Sequence, residues 1–75
     1  MSNPTIAKQI KIVVNGERRT APSGQNLVDI LANLGLEADR VAIELNRSIV
    51  RKSDWSTTFV TDGACLEIVQ FVGGG

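Results

Sequence analysis

Histidine is missing from these 75 residues, and cysteine occurs once, at Cys65. Without an imidazole, neither a histidine-based triad nor a Cys–His nucleophile can be assembled. One cysteine and no histidine also leave too few donors for a four-ligand zinc site of the usual kind. A single thiol cannot close an internal disulfide, which fits a reducing compartment. The chain is therefore a poor candidate for an enzyme in its own right. Cys65 itself reads as a small apolar residue at the start of a strand rather than as a sulfur donor.

Charge of one sign is also lacking, since eight Lys and Arg are balanced by eight Asp and Glu. Nucleic-acid binding usually needs a basic stripe that releases counterions from phosphates. The nearest approach to one, Arg47, Arg51 and Lys52, is diluted by Asp54. No apolar run approaches the roughly 18 residues that span a bilayer. Residues 1–9 lack the apolar stretch of a signal peptide and read as a flexible N-terminal extension. Apolar residues make up 43% of the chain, enough for a globular fold and too many for a disordered one. The expectation is one soluble, cytoplasmic, monomeric domain, with no nucleic-acid or membrane partner. A chain this short buries only about 60% of the surface its unfolded form exposes, so its core must be economical.

Ile10, Ile12 and Val14 recur with the period of two that marks a strand with one buried face. Asn15-Gly16 follows and suits a type I′ turn, because both residues tolerate positive φ. The returning segment, Glu17 to Ala21, is polar enough for an edge strand, and Pro22-Ser23-Gly24 ends it. Leu27, Ile30, Leu31 and Leu34 then form one apolar stripe of a helix of about nine residues. Asn26 is placed to cap its start, Asp29 favours its first turn, and Gly35 suits a left-handed residue at its end. Val41, Ile43 and Leu45 give another strand, followed by a turn at Arg47-Ser48 and a brief apolar segment at Ile49 and Val50. Trp55 sits on an irregular stretch and reads as a lid on one end of the core. Phe59 and Val60 lead to a turn at Asp62-Gly63, and Ala64 to Val72 make the last strand. One helix against one mixed sheet of four or five strands is an α+β two-layer sandwich. The sequence leaves the strand order open, although the last strand can lie beside the first, since both are the most apolar and should be central. The domain is expected over residues 10–72.

The chain finishes in Gly73-Gly74-Gly75 directly after an apolar strand. A frayed terminus is the ordinary reading of such a run. Set on a rigid strand, however, Val72 to Gly75 reaches about 13 Å at roughly 3.3 Å per residue. With no Cβ on its last three residues, it is as slender as a polypeptide can be there and accepts any backbone torsion. A tail of this kind can enter a narrow channel in another protein. Its α-carboxyl, with an ordinary pKa near 3.5, is ionised and unreactive toward nucleophiles at neutral pH. Adenylation by ATP makes the acyl carbon electrophilic, and a sulfur nucleophile can then displace AMP. That chemistry asks for no catalytic side chain on the carrier.

The opening Ile12-Val13-Val14-Asn15-Gly16-Glu17, the helical Leu27-Val28-Asp29-Ile30-Leu31 and the strand Val41-Ala42-Ile43-Glu44-Leu45-Asn46 carry a family resemblance. Trp55, the Asp62-Gly63 turn and the ending Glu67-Ile68-Val69-Gln70-Phe71-Val72-Gly73-Gly74-Gly75 complete it. From Ile10 onward the chain resembles the thiamine-biosynthesis sulfur carriers of the ThiS family, which have the ubiquitin-like β-grasp fold. The resemblance implies that Gly75 is adenylated by an E1-like enzyme using ATP and binds no cofactor itself. Gly75 is then converted to a thiocarboxylate through a cysteine desulfurase relay and donates sulfur to thiazole synthase. Gly73 and Gly74 become the threading segment. Two positions depart from the family pattern. Val50-Arg51-Lys52 stands where Val-Pro-Arg is common, and Ala64 stands where a second aspartate often follows the Asp-Gly turn.

If Leu66 and Ile68 face the helix, alternation puts Glu67, Val69 and Phe71 on the opposite face, where Val13 of the first strand joins them. An exposed apolar patch on a monomer marks an interaction site. Val13, Val69, Phe71 and Val72 are thus the expected docking surface for the adenylating enzyme and thiazole synthase. Carriers of molybdopterin synthesis or tRNA thiolation, and ubiquitin-like protein modifiers, share such a fold and ending. The Asn-Gly hairpin, the Trp55 segment and the Phe-Val-Gly-Gly-Gly ending favour the thiamine branch.

Overall fold

The computed structural model describes residues 8–71. Five strands make one sheet: β1 (Gln9–Val14), β2 (Glu17–Pro22), β3 (Val41–Leu45), β4 (Ser48–Val50) and β5 (Cys65–Gln70). One helix, α1 (Leu27–Leu34), and two short 3₁₀ helices, Ala38–Arg40 and Lys52–Thr57, complete the described chain. The strand order is β2-β1-β5-β3-β4. β1 and β5 run parallel, and every other pair is antiparallel. This is the β-grasp arrangement, with the last strand central beside the first and the polar β2 at an edge.

Local chemistry explains most of the elements. Asn15 and Gly16 both take positive φ, 51° and 80°, as a type I′ hairpin requires. At the helix start, Asn26 Oδ1 accepts from the Asp29 N–H at 2.8 Å, and Asp29 Oδ2 accepts from the Asn26 N–H at 3.1 Å. This reciprocal capping box satisfies two donors that the first turn would leave unpaired. At the other end Gly35 is left-handed, at φ 73°, and the Leu36 N–H donates to the Leu31 carbonyl at 3.0 Å. Both helix ends are thereby closed by residues within one turn of them.

The core lies between α1 and the inner face of the sheet. Leu27, Ile30 and Leu31 meet Ile10, Ile12 and Val14 of β1, Val41 and Ile43 of β3, and Leu66 and Ile68 of β5. Trp55 is 2% exposed and closes the core, with its Nε1–H donating to the Val50 carbonyl at 2.9 Å. That bond lets an indole be buried without an unpaired donor.

Four details differ from the sequence-based expectations. β1 starts at Gln9, and the Lys8 carbonyl accepts from the Ser23 N–H, so regular pairing begins inside the segment expected to be an extension. The β3–β4 turn is at Asn46-Arg47, with φ of 50° and 73°, which places Ser48 in β4. Trp55 rides on a 3₁₀ helix rather than an irregular stretch. β5 spans Cys65–Gln70, because Ala64, though 3% exposed, belongs to the turn that leads into it.

Candidate functional site

Three asparagine or aspartate side chains tie β5 and the turn that leads into it to the neighbouring strands. Before β5, Asp62 Oδ1 accepts from the Lys11 N–H at 2.8 Å and the Gly63 N–H donates to the Lys11 carbonyl. At its start, Asn46 Oδ1 accepts from the Cys65 N–H at 2.9 Å. Further along, the Asn15 amide accepts from the Ile68 N–H at 2.7 Å and donates to the Ile68 carbonyl at 3.1 Å. Asn15 therefore pairs with β5 as another strand residue would, extending the parallel ladder beyond β1. At the far end, the Phe71 N–H donates to the Arg40 carbonyl at 2.7 Å. The backbone is held up to the last described residue, and the segment that follows starts from a fixed point beside the first 3₁₀ helix.

Alternation along β5 is as expected. Leu66 and Ile68 are buried, while Val69 is 59% and Phe71 57% exposed. Val13 is half-buried on the same outer face. The pairing register divides these residues, however. Val13 lies opposite Cys65, four residues before Val69, a separation of about 13 Å along the strand. Val69 lies opposite Ala42. Between the two rows stand Glu67 and Glu44, directly paired across β5 and β3, and Ile49 of β4 lies beyond Glu44 and is 78% exposed. The face thus carries an apolar row at Val13 and Cys65, an acidic pair, and a second apolar group at Val69, Ala42 and Phe71.

Cys65, expected to act as a small packing residue, presents a free, exposed thiol on this face. Ala42, Glu44 and Ile49 were not legible as members of the face, because their place depends on β3 lying beside β5. Val72, Gly73, Gly74 and Gly75 lie outside the described residues. Among the described residues, no three or more histidine, cysteine, aspartate or glutamate side chains converge as a metal site would require. No helix among them is long and apolar enough to cross a membrane.

Comparison with known proteins agrees with this geometry. The crystal structure of the thiamine biosynthesis protein ThiS from Geobacter metallireducens superposes with a TM-score of 0.73 at 31% identity, covering 88% of this chain and 100% of that one. The sulfur carrier protein ThiS of Bacillus subtilis is 40% identical over 47 residues, 63% of this chain and 71% of that protein. A thiazole synthase of Paramagnetospirillum magneticum is 42% identical over 66 residues, 88% of this chain. The chain spans only about a fifth of that relative's length, 20%. The ThiS family model matches residues 7–75. With the family match and the fold in agreement, the chain belongs to the ThiS family of sulfur carrier proteins of thiamine biosynthesis.

Proposed function

We propose that Gly75 carries the sulfur, as a thiocarboxylate, and delivers it to thiazole synthase. An E1-like enzyme would first activate the carboxylate. One carboxylate oxygen attacks the α-phosphorus of ATP, pyrophosphate leaves, and the acyl carbon becomes electrophilic. A persulfide sulfur from a cysteine desulfurase relay then displaces AMP, and a thiol reductant cleaves the resulting S–S bond to leave C–S⁻ on Gly75. The need for ATP and thiol reductant supports a cytoplasmic location. ATP is the partner's substrate, and the carrier itself holds no cofactor.

The observation that carries this reading is the anchoring of β5. Its backbone is bonded through Phe71, at 2.7 Å to Arg40, immediately before Val72 and three glycines. Gly73 and Gly74 would thread the tail, while Val13, Val69, Phe71 and Val72 dock the domain. That a thiazole synthase contains a segment similar to this chain supports that enzyme as acceptor. Joining donor and acceptor in one polypeptide raises their effective concentration, an arrangement useful only if they meet.

Incubation with ATP, the adenylating enzyme from the same source and a sulfur donor should raise the intact mass by the exchange of one oxygen for one sulfur. Removing Gly74 and Gly75 should abolish the change. Higher-mass conjugates instead would show a protein modifier. Failure to restore growth of a thiamine auxotroph lacking its own carrier, with the mass change intact, would move the protein to another thiolation pathway.

A further inference from the structure

The backbone of β5 is paired on both sides for most of its length and left open on one side at its last residue. Successive residues of a strand direct their N–H and C=O groups to opposite sides. Cys65 and Phe71 turn theirs toward β3: the Asn46 N–H donates to the Cys65 carbonyl and the Phe71 N–H to the Arg40 carbonyl, both at 2.7 Å. Leu66 and Ile68 turn theirs toward β1. There the Asn15 N–H donates to the Leu66 carbonyl at 2.9 Å, and the Asn15 side chain takes both groups of Ile68. Gln70 is next in that series. It lies opposite Val41, in a pair whose Gln70 backbone groups face away from β3. β1 has ended at Val14 and the chain has turned back at Asn15-Gly16, so no described residue stands beside the exposed Gln70 to meet its N–H and C=O. The outer edges of the sheet are guarded, β2 by Arg18 and Arg19 and β4 by its length of three residues. Next to the open edge, on the helix side of the sheet, lies a groove whose apolar lining is Val14, Leu34, Leu36 and Ile68.

We infer that thiazole synthase adds an extended segment of its own to this open edge of β5, pairing with the Gln70 N–H and C=O and placing an apolar side chain in the groove. The inference rests on the carrier reading of Gly75. Where the chain ends argues the occupant. Gly75 lies five residues beyond Gln70, no more than about 17 Å at roughly 3.3 Å each, so the enzyme that takes sulfur from it must come up against the chain leading there. That a thiazole synthase contains a segment similar to this chain favours that enzyme. In the complex, alternation turns the backbone groups of Val72 and Gly74 to the same side as those of Gln70, and one added strand holds all three. Strand addition draws affinity from main-chain hydrogen bonds and specificity from pockets for alternate side chains. It therefore suits a chain end with no side chains to read, where glycine lets another backbone approach closely. Pairing also sets the register. With Gln70 held in the ladder, the reacting carboxyl stands a fixed number of residues further along it.

The test is amide hydrogen exchange, read residue by residue on the isotope-labelled carrier, alone and with an excess of thiazole synthase from the same source. Alone, the Gln70 amide should exchange about tenfold or more faster than those of Ile68 and Val69, which are bonded on either side of the strand. With the enzyme it should slow by about tenfold or more. Binding gives a second readout. Gln70→Pro lacks the N–H, and proline is accepted in a strand where that group faces no partner. It should bind thiazole synthase about tenfold more weakly than Gln70→Ala, which keeps the N–H, with the same Trp55 emission in both. A Gln70 amide already protected in the free carrier, one left unprotected in the complex, or equal binding by the two variants would overturn the inference. Protection by the adenylating enzyme and not by thiazole synthase would overturn it too, giving the edge to the other enzyme. Loading of sulfur on Gly75 with Gln70 unprotected in the complex would leave the carrier reading standing alone. If no sulfur can be loaded, the reading and the inference fall together.

Discussion

Asn15 does two jobs that usually fall to different residues. Its backbone takes the left-handed torsion of the hairpin, and its amide both accepts from and donates to Ile68. Glycine can do the first and not the second. Aspartate can accept from the Ile68 N–H and has nothing to donate to the carbonyl. Each net hydrogen bond contributes about 0.5–1.5 kcal/mol. Asn15→Gly should therefore lower stability by about 1–2 kcal/mol, read by urea denaturation with Trp55 fluorescence. Asn15→Asp should fall between glycine and wild type. If Asn15→Gly unfolds at the wild-type urea concentration, the amide bridge contributes nothing. The turn torsion was legible in the sequence because Asn-Gly is a local signal. The bridge was not, because Ile68 is 53 residues away and is brought near only by the β1–β5 pairing. Arg47 illustrates the converse. It holds φ 73° without being glycine, so the Asn46-Arg47 turn carried no strong sequence signal and was expected one residue later.

Among the elements, α1 was the easiest to read and the 3₁₀ helices the hardest. The helix is specified by residues within a turn of its ends, Asn26, Asp29 and Gly35, and by its own apolar stripe. The Ala38–Arg40 and Lys52–Thr57 turns have too few residues to show a period, and tertiary contacts hold them. One such contact links them: the Lys52 ammonium hydrogen-bonds the Asp39 carboxylate. That hydrogen bond, and then the charge of Lys52, hold the Asp39 carboxyl below its ordinary value of 3.8. A carboxyl with a lowered folded pKa stabilises the fold above its unfolded pKa, and the contribution disappears as pH falls through the lowered value. Both groups are exposed, so the effect is small and is screened by salt. Comparing melting temperatures at about pH 6 and about pH 3 should show wild type losing slightly more than Lys52→Met. The difference should shrink in about 1 M sodium chloride, where the Debye length falls to about 3 Å. Parallel acid profiles for the two proteins would rule out a contribution from the pair.

At the scale of the molecule, the sheet buries one face and exposes the other, and strand order decides which residues share the second. Periodicity placed Val69 and Phe71 outward correctly, yet it could not show that an acidic pair separates them from Val13. That required knowing that β3, not another strand, flanks β5. The two faces should be separable by substitution within a single strand. Leu66 is wholly buried under α1, and Leu66→Ala should cost about 2–5 kcal/mol, enough to unfold much of a domain this small. Three residues later Val69 points the other way, and Val69→Asp should change stability by no more than about 0.5 kcal/mol. The same Val69→Asp carrier should show a raised KM in ATP–pyrophosphate exchange and slower sulfur delivery, with a wild-type Trp55 emission spectrum reporting an intact core. Were Val69→Asp to be adenylated and to transfer sulfur at wild-type rates, the far end of this face would be ordinary surface, and docking would rest on the residues nearer Cys65 or on the tail alone.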